Sequence, residues 1–311
     1  MKKILVVGSL NMDLVTDVPH LLAKGETALA QNLRQVPGGK GANQAYAVGK
    51  LGGRAAMLGA VGADAHGERL LENLREVGVD VSAVQKRQEE PTGTAVIMVL
   101  PSGDNSILVL QGANASVTPD VIRQSMSLIQ ECDILVLQLE IPLETVAFAA
   151  TEAAKLGKQV VLDPAPAVPD LPKELLQSLY LIKPNETELS ILTGHPYRPE
   201  GLRQDAEYLQ GLGVKNVLVT LGASGSYLLR ENGEEHWFPA DTTVKVVDTT
   251  AAGDSYMGAL VVALSQGRSL EEAAEYASRV SDVVVSRRGA QTSIPGWEEI
   301  EKIFHEKMKN G

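Results

Sequence analysis

Short apolar runs alternate with amphipathic stretches along most of this 311-residue chain, and that alternation constrains its fold more than any other feature. Residues 4–8, 55–61, 134–139, 159–162, 179–182 and 216–221 read as buried strands. Helical periodicity occupies residues 41–51, 67–77, 119–129, 143–155, 186–193, 203–212, 254–265 and 270–286. Strands and helices in this succession predict an α/β fold of three layers, a mainly parallel central sheet covered by helices on both faces. No fixed-period repeat and no linker rich in Pro, Gly or Ser divides the chain.

Two regions break the alternation. Residues 13–36 and 92–111 read as short polar–apolar segments, and the second holds Ala95-Val96-Ile97-Met98-Val99-Leu100, a turn at Pro101-Ser102-Gly103-Asp104, and Ile107-Leu108-Val109-Leu110. That is the pattern of a β-hairpin. The two regions are expected to form a small β-sheet lid that doubles as a homodimer surface. The core then comprises residues 1–12, 37–91 and 112–311.

Lys and Arg number 28 against 39 Asp and Glu, a formal net charge of −11. Nucleic-acid backbones are held by pooled Lys and Arg, so a nucleic-acid partner is not expected. Two Trp, seven Tyr and three Phe are too few for an aromatic platform. Any phosphate must therefore be met locally. The single cysteine, Cys132, excludes an internal disulfide and reads as a small buried hydrophobe. The apolar run after Met1-Lys2-Lys3 is too short for a secretory signal, and no stretch approaches the roughly 18 apolar residues of a membrane span. A cytoplasmic location without membrane association is the expectation.

Several familiar motifs fail. Gly39-Lys40-Gly41 and Gly49-Lys50-Leu51 lack the hydroxyl of a P-loop, and Gly8-Ser9-Leu10-Asn11 has Leu where a dinucleotide fingerprint has its second glycine. Gly222-Ala223-Ser224-Gly225-Ser226 misses the last glycine of a nucleophile elbow. His20, His66, His195, His236 and His305 have no ligand-like spacing.

What remains is a set of glycine-rich turns at strand and helix ends. Pro37-Gly38-Gly39-Lys40-Gly41-Ala42-Asn43-Gln44-Ala45 opens a helix; it is either a tight turn or a ligand-facing backbone in which Lys40 and Asn43 donate to hydroxyls. In Val247-Asp248-Thr249-Thr250-Ala251-Ala252-Gly253-Asp254, small residues bare the start of another helix, where free N–H groups and the dipole make an anion site. Asp254 there is either an ordinary first-turn acid or a base for a hydroxyl attacking bound phosphate. Asn11 and Asp13 follow the first strand and Glu140 ends another, at the strand ends where open α/β sheets bind ligands. Asn185 and Glu188 are spaced as a capping box, or as a pair that orients Mg²⁺ and its waters. Thr220-Leu221-Gly222-Ala223-Ser224-Gly225 is a turn between strands or an approach to a nucleotide.

In this order the strings resemble the ribokinases of the phosphofructokinase-B-type carbohydrate kinase family, nearly end to end. The resemblance includes Gly8 to Asp13, Pro37 to Ala45, Gly112-Ala113-Asn114, Leu137 to Glu140, Asp163-Pro164-Ala165-Pro166-Ala167, Pro184 to Glu188, Thr220-Leu221-Gly222, Asp248 to Asp254 and Arg288 to Pro295. It implies a ribokinase-like fold and transfer of the γ-phosphoryl of MgATP to the 5-hydroxyl of D-ribose. Asp254 resembles the catalytic base, and Ala251, Ala252 and Gly253 the anion hole. Asn11, Asp13, Gly39, Lys40, Asn43 and Glu140 match sugar-binding positions. Asn185, Glu188, Thr220, Gly222, Gly225 and Ser278 match the ATP side, with Glu188 reaching magnesium through water. An activating potassium ion is implied at Asp248, Thr250, Val284, Arg287, Gly289 and Ser293. The chain departs from the family with Ala251 for Gly, Tyr256-Met257 for Phe-Asn, and Ser278 for His or Asn. Alternatives are a deoxyribokinase, fructokinase or adenosine kinase on the same fold, and a non-catalytic sugar sensor, which would lack the base.

Overall fold

The computed structural model describes residues 1–30, 32–102 and 104–310, with side chains as far as residue 303. The chain opens with β1 (Lys3–Val7), β2 (Asn11–Asp17), β3 (Arg34–Gly38), α1 (Lys40–Lys50), β4 (Arg54–Gly62), α2 (Ala65–Glu76) and β5 (Asp80–Arg87). Then come β6 (Gly93–Val99), β7 (Asn105–Leu110), α3 (Pro119–Gln124), α4 (Met126–Glu131), β8 (Ile134–Leu137), α5 (Leu143–Lys155) and β9 (Gln159–Leu162). They are followed by α6 (Lys173–Ser178), β10 (Leu181–Ile182), α7 (Glu186–Thr193), α8 (Leu202–Gly211) and β11 (Asn216–Thr220). The last elements are β12 (Ser226–Leu229), β13 (Glu235–Phe238), α9 (Ala252–Ser265), α10 (Leu270–Val285) and α11 (Trp297–Asn310).

Nine strands form one sheet in the order β13-β12-β11-β10-β9-β8-β1-β4-β5. It is parallel from β11 to β5, and the hairpin β12–β13 adds two antiparallel strands at one edge. Alternate residues of each strand go to opposite faces, as a period of two requires. Ile4, Val6, Ile134 and Val136 join the core beneath α1, α2, α9 and α10. Leu5, Val7, Leu135 and Leu137 join the core beneath α3 to α8. Helix α9 is buried from Asp254 to Ser265 and is therefore apolar on every side. It approaches α1 so closely that a Cβ on Gly258 would lie 2.5 Å from Ala47 Cβ.

The chain runs from β1 outward to β4 and β5, then crosses back to β8, β9, β10 and β11. Between β1 and β8 the strand order therefore reverses, which opens a crevice at their C-terminal ends. A second sheet, β3-β2-β6-β7, stands beyond that crevice. It takes in Asn11, Met12, Pro37 and Gly38, which the sequence assigned to the core. Leu100 N donates to Asp104 O at 2.8 Å to close the β6–β7 hairpin; Gly103 of the expected turn lies outside the described residues.

Other expectations needed adjustment. The single helix over 119–129 is two, α3 and α4, interrupted at Ser125, a weak helix former whose N–H bonds three residues back to Ile122 O at 3.0 Å. Strands β5, β12 and β13 were not anticipated: β5 and β13 are edge strands that mix polar and apolar residues, and β12 follows β11 after a very short turn. Cys132 is buried, with its thiol pushed up to about 11 by burial. Among the described residues no helix is long and apolar enough to cross a membrane.

Candidate active site

The C-terminal strand ends and three helix starts enclose a cleft of about 450 Å³. Lys40, Asn185, Glu188, Thr220, Gly222, Gly225, Ser278 and the run Ala251-Ala252-Gly253-Asp254 all line it. The cleft thus unites residues from α1, the β10–α7 and β11–β12 turns, α9 and α10. Asn185 and Glu188 make the full capping box of α7: Asn185 Oδ1 accepts from Glu188 N and Glu188 Oε2 from Asn185 N, both at 2.8 Å. Capping fixes where Glu188 points without removing it from the cleft.

At the start of α9 the backbone does the unusual work. Ala251 has φ 57° and is the one left-handed non-glycine residue among those described. That conformation costs a non-glycine residue about 1–2 kcal/mol. Unlike α2, α7 and α10, this helix has no side-chain cap. The amide of Ala252 is spent on Thr249 O at 3.1 Å, so it is not a free donor as the sequence suggested. Among the described residues, the amides of Ala251, Gly253 and Asp254 meet no intramolecular acceptor, and these three are the helix-start donors that remain.

Asp254 is buried and gripped from α1. Asn43 Nδ2 donates to its Oδ2 at 2.9 Å and Gln44 Nε2 to its Oδ1 at 3.1 Å. Gln291 Nε2 in turn holds Asn43 Oδ1 at 2.9 Å. Burial drives the Asp254 pKa up, and nearby Asp163 adds to this; Lys40 and the two amides oppose it without cancelling it. A buried carboxylate with a raised pKa is a stronger proton acceptor than a solvated one.

Ser9 and Glu140, beyond the ends of β1 and β8, and Asn11 and Asp13 of β2 are not among the residues lining that cleft but stand beside the start of α1. Glu140 accepts from Ser9 Oγ and, at 2.9 Å, from Lys40 N. Asn11 Oδ1 accepts from Asn114 Nδ2 at 2.7 Å, and Asn114 is itself locked onto the Leu10 backbone. Gly39 has φ 86°, and a Cβ there would lie 2.7 Å from Asn11 N. On Gly38 it would lie 2.2 Å from Asp13 Oδ2. These glycines let α1 start against β2, which brings Asp13, Glu140 and Asp254 within electrostatic reach of one another. Burial first, then Glu140 and Asp254, push Asp13 to about 7. Burial alone would lower the Lys40 pKa, but Asp254, Asp163, Glu140 and Glu188 together raise it. Glu188 is raised by burial and Asp163, against Lys183, Asn185 N–H and Lys40.

Two cleft residues were missed. Asp163 follows β9, Lys183 follows β10, both are buried, and they pair at 3.2 Å. Their signal was available: each is a charge ending a buried strand, as Glu140 is.

The folding pattern agrees with what the chain is similar to. Residues 1–297 match the family described as pfkB family carbohydrate kinase. The chain belongs to the pfkB family of carbohydrate kinases. It is 39% identical over 299 residues to a ribokinase of Haemophilus influenzae, covering 96% of this chain and 97% of that one. It is 36% identical over 297 residues to a deoxyribokinase of Salmonella typhi, covering 95% and 96%. Its fold matches an Arabidopsis thaliana ribokinase complexed with ribose and ATP at a TM-score of 0.91, with 36% identity over 97% and 98% of the two chains.

Within this pfkB-family kinase, Tyr256 lines the cleft behind Asp254. Its hydroxyl is held by Ser226 Oγ at 2.9 Å and Ala274 O at 3.1 Å, so the larger ring at this position is satisfied. Of the six residues matched to a monovalent cation, Asp248 binds Thr250 through its N and Oγ1, at 2.9 and 2.6 Å, and Gly289 N at 2.9 Å. Burial would raise the Asp248 pKa, but these bonds hold it below the ordinary value. Val284 O accepts from Arg287 N at 3.1 Å, the Arg287 guanidinium pairs with Glu299, and Ser293 Oγ donates to Ala290 O at 2.6 Å. The structure therefore brings Asp248, Thr250 and Gly289 together directly, while the other three bond elsewhere.

Proposed function

We propose that this chain transfers the γ-phosphoryl group of ATP to the 5-hydroxyl of D-ribose, giving D-ribose 5-phosphate and ADP. The setting of Asp254 carries the reading: a buried, raised carboxylate stands between the amides of Gly253 and Asp254 on one side and the polar group of Asn11, Asp13, Asn43 and Glu140 on the other. Asp254 takes the hydroxyl proton as the sugar oxygen attacks phosphorus. The growing charge on the transferring group meets the unpaired amides, the positive end of α9 and the Lys40 ammonium. Asn11, Asp13, Gly39, Lys40, Asn43 and Glu140 hold the sugar, and Asn185, Glu188, Thr220, Gly222, Gly225 and Ser278 hold ATP.

The hard oxygen donors of the cleft fit a divalent ion, and Glu188, held in place by Asn185, is the residue for the waters of Mg²⁺. When bound with ATP that ion neutralises phosphate charge. Asp248, Thr250, Val284, Arg287, Gly289 and Ser293 are the candidate surroundings of potassium, which would stiffen the loop before α9 without touching substrate. The exposed row Ile107, Leu108, Val109 and Leu110 on the edge strand β7 supports homodimerisation through the small sheet.

The test is ADP release over ribose, 2-deoxyribose, fructose and adenosine. Ribose is expected to have the highest kcat/KM; a higher value for any other compound overturns the assignment. 2-Deoxyribose is the second reading, favoured by the similarity to a deoxyribokinase. Buried Asn11 with the half-buried carboxylate of Asp13 favours a polyhydroxylated pentose, because a buried polar group left without a hydroxyl partner costs roughly 1–3 kcal/mol.

A further inference from the structure

We propose that Gln44 is a positioning residue for phosphoryl transfer, its carboxamide fixing the Asp254 carboxylate relative to Asp163. The inference rests on the kinase reading above. Gln44 is completely buried and does not line the cleft. Its Nε2 donates to Asp163 Oδ2 at 2.8 Å and to Asp254 Oδ1 at 3.1 Å, and its Oε1 accepts from Gln138 Nε2 at 2.6 Å.

The orientation of this chain of amides is forced. Carboxylates only accept, so the NH₂ group of Gln44 must face the two acids. Its oxygen then faces Gln138, which must answer with its own NH₂. The remaining Gln138 oxygen is left buried with no donor among the described residues. It also occupies the space where a Cβ on Gly8 would fall, 1.9 Å away. A core selected for stability alone would avoid an orphaned acceptor. Here it follows from keeping two N–H bonds aimed at two acids.

Those acids differ. Asp163 has the ammonium of Lys183 as partner, whereas Asp254 has only neutral donors at hydrogen-bond distance. Gln44 therefore ties the unpaired base to a fixed ion pair. Asn43, the preceding residue, projects about 100° around the helix and grips the other oxygen. Held from two directions, the carboxylate has one bond on each oxygen and keeps lone pairs for a substrate hydroxyl. The groups acting on its titration are Lys40, Asn43 and Gln44 from α1, Asp163 with Lys183 from the strand ends, and Asp13 from β2.

The experiment compares Gln44→Leu and Gln138→Met with the parent enzyme in ribose-dependent ADP release from pH 5.5 to 9, with folding followed by circular dichroism. In Gln44→Leu, kcat is expected to fall on the order of 10- to 100-fold, with KM for ribose and ATP within about threefold. Loss of a bond to the charged form raises the pKa of the base, so the acid limb of kcat moves up by about one pH unit. Gln138→Met should shift both in the same direction by less. A folded Gln44→Leu with kcat within threefold and an unmoved limb overturns the proposal, as does a loss confined to KM. If Gln44→Leu does not fold, an unmoved limb in Gln138→Met overturns it, and a raised limb supports it. A parent inert on ribose but active on another sugar refutes the ribose assignment instead, and the same comparison on that sugar still decides the role of Gln44.

Discussion

Replacing Asp254 by Asn separates what this residue does for rate from what it does to the fold. A positioned general base contributes about 10²–10⁴ to rate, which is about 3–5 kcal/mol of barrier. The amide keeps shape and volume but cannot take the proton, so kcat should fall by that factor while ribose still binds. Two effects on stability oppose each other. Both carboxylate oxygens now accept a bond, from Asn43 and from Gln44, and neither donor can turn freely because Gln291 and Asp163 hold them. An Asn at 254 has one oxygen, so its NH₂ faces another donor, and one buried bond is lost at roughly 1–3 kcal/mol. Against this, the variant removes a buried charge that the fold disfavours, since the Asp254 pKa is raised.

The pH dependence distinguishes the two effects. With a folded pKa above the unfolded one, the native enzyme binds the proton first, and its stability rises as pH falls through the folded value toward the unfolded one. The variant lacks this gain. The difference in Tm, variant minus parent, is therefore larger at pH 8 than at pH 5. Scanning calorimetry at both pH values, coupled ADP release at pH 7.5 and titration calorimetry with ribose make up the assay. A kcat within tenfold of the parent, or a Tm difference that grows on acidification, refutes the reasoning.

With Asp13 pushed to about 7, its sugar-accepting carboxylate form rises about tenfold between pH 6 and 8, so KM for ribose should fall by about that factor; a flat KM contradicts this. Gly258→Ala places a methyl against Ala47 and should cost about 1–3 kcal/mol in urea unfolding and lower kcat, because α1 carries both donors to Asp254; an unchanged midpoint would show that the helices yield freely. Replacing potassium by sodium or choline should lower kcat while leaving KM for ribose nearly unchanged; equal rates remove the ion. Leu108→Glu should turn a dimer into a monomer by light scattering; a parent that is already monomeric removes the lid interface.

The sequence made the parallel sheet legible because each buried strand is a short aliphatic run and each helix carries its own period. Asn11 and Glu140 could be singled out from position alone, as polar residues beyond strand ends. Asp254 stood out because small residues surround a charge at a helix start. Asn185 and Glu188 left two readings open because local capping and a place in the cleft need the same spacing, and the structure has both. The role of Gln44 was not legible, since its partners Asp163, Gln138 and Asp254 lie 94 to 210 residues away. Of Ala251, Ala252 and Gly253, only Ala252 lacks a free amide, and no residue pattern reports that Ala251 turns left-handed and the Ala252 N–H bonds back to Thr249.

The charge balance of the cleft says how an acidic kinase can work on a polyanion. Asp13, Glu140, Asp163, Glu188 and Asp254 act on one another there, and the cations lining the described cleft are Lys40 and Lys183. Lys183 is committed to Asp163, so in the proposed reaction Lys40 and the three unpaired backbone amides are left to meet the phosphoryl group. The raised values of Asp13, Glu188 and Asp254 come first from burial and then from neighbouring carboxylates, which the nearby lysines do not cancel at Glu188 and Asp254. An arginine-lined pocket would hold ATP through charge alone, with or without the second substrate. This one repels bare phosphate unless counter-charge arrives with the nucleotide, and it strengthens its acids as acceptors until hydroxyl donors reach them. In the proposed reaction a sugar would supply donors to the acids and a metal-bound nucleotide would supply positive charge, so the negative surplus is expected to favour the loaded site over either half-filled one.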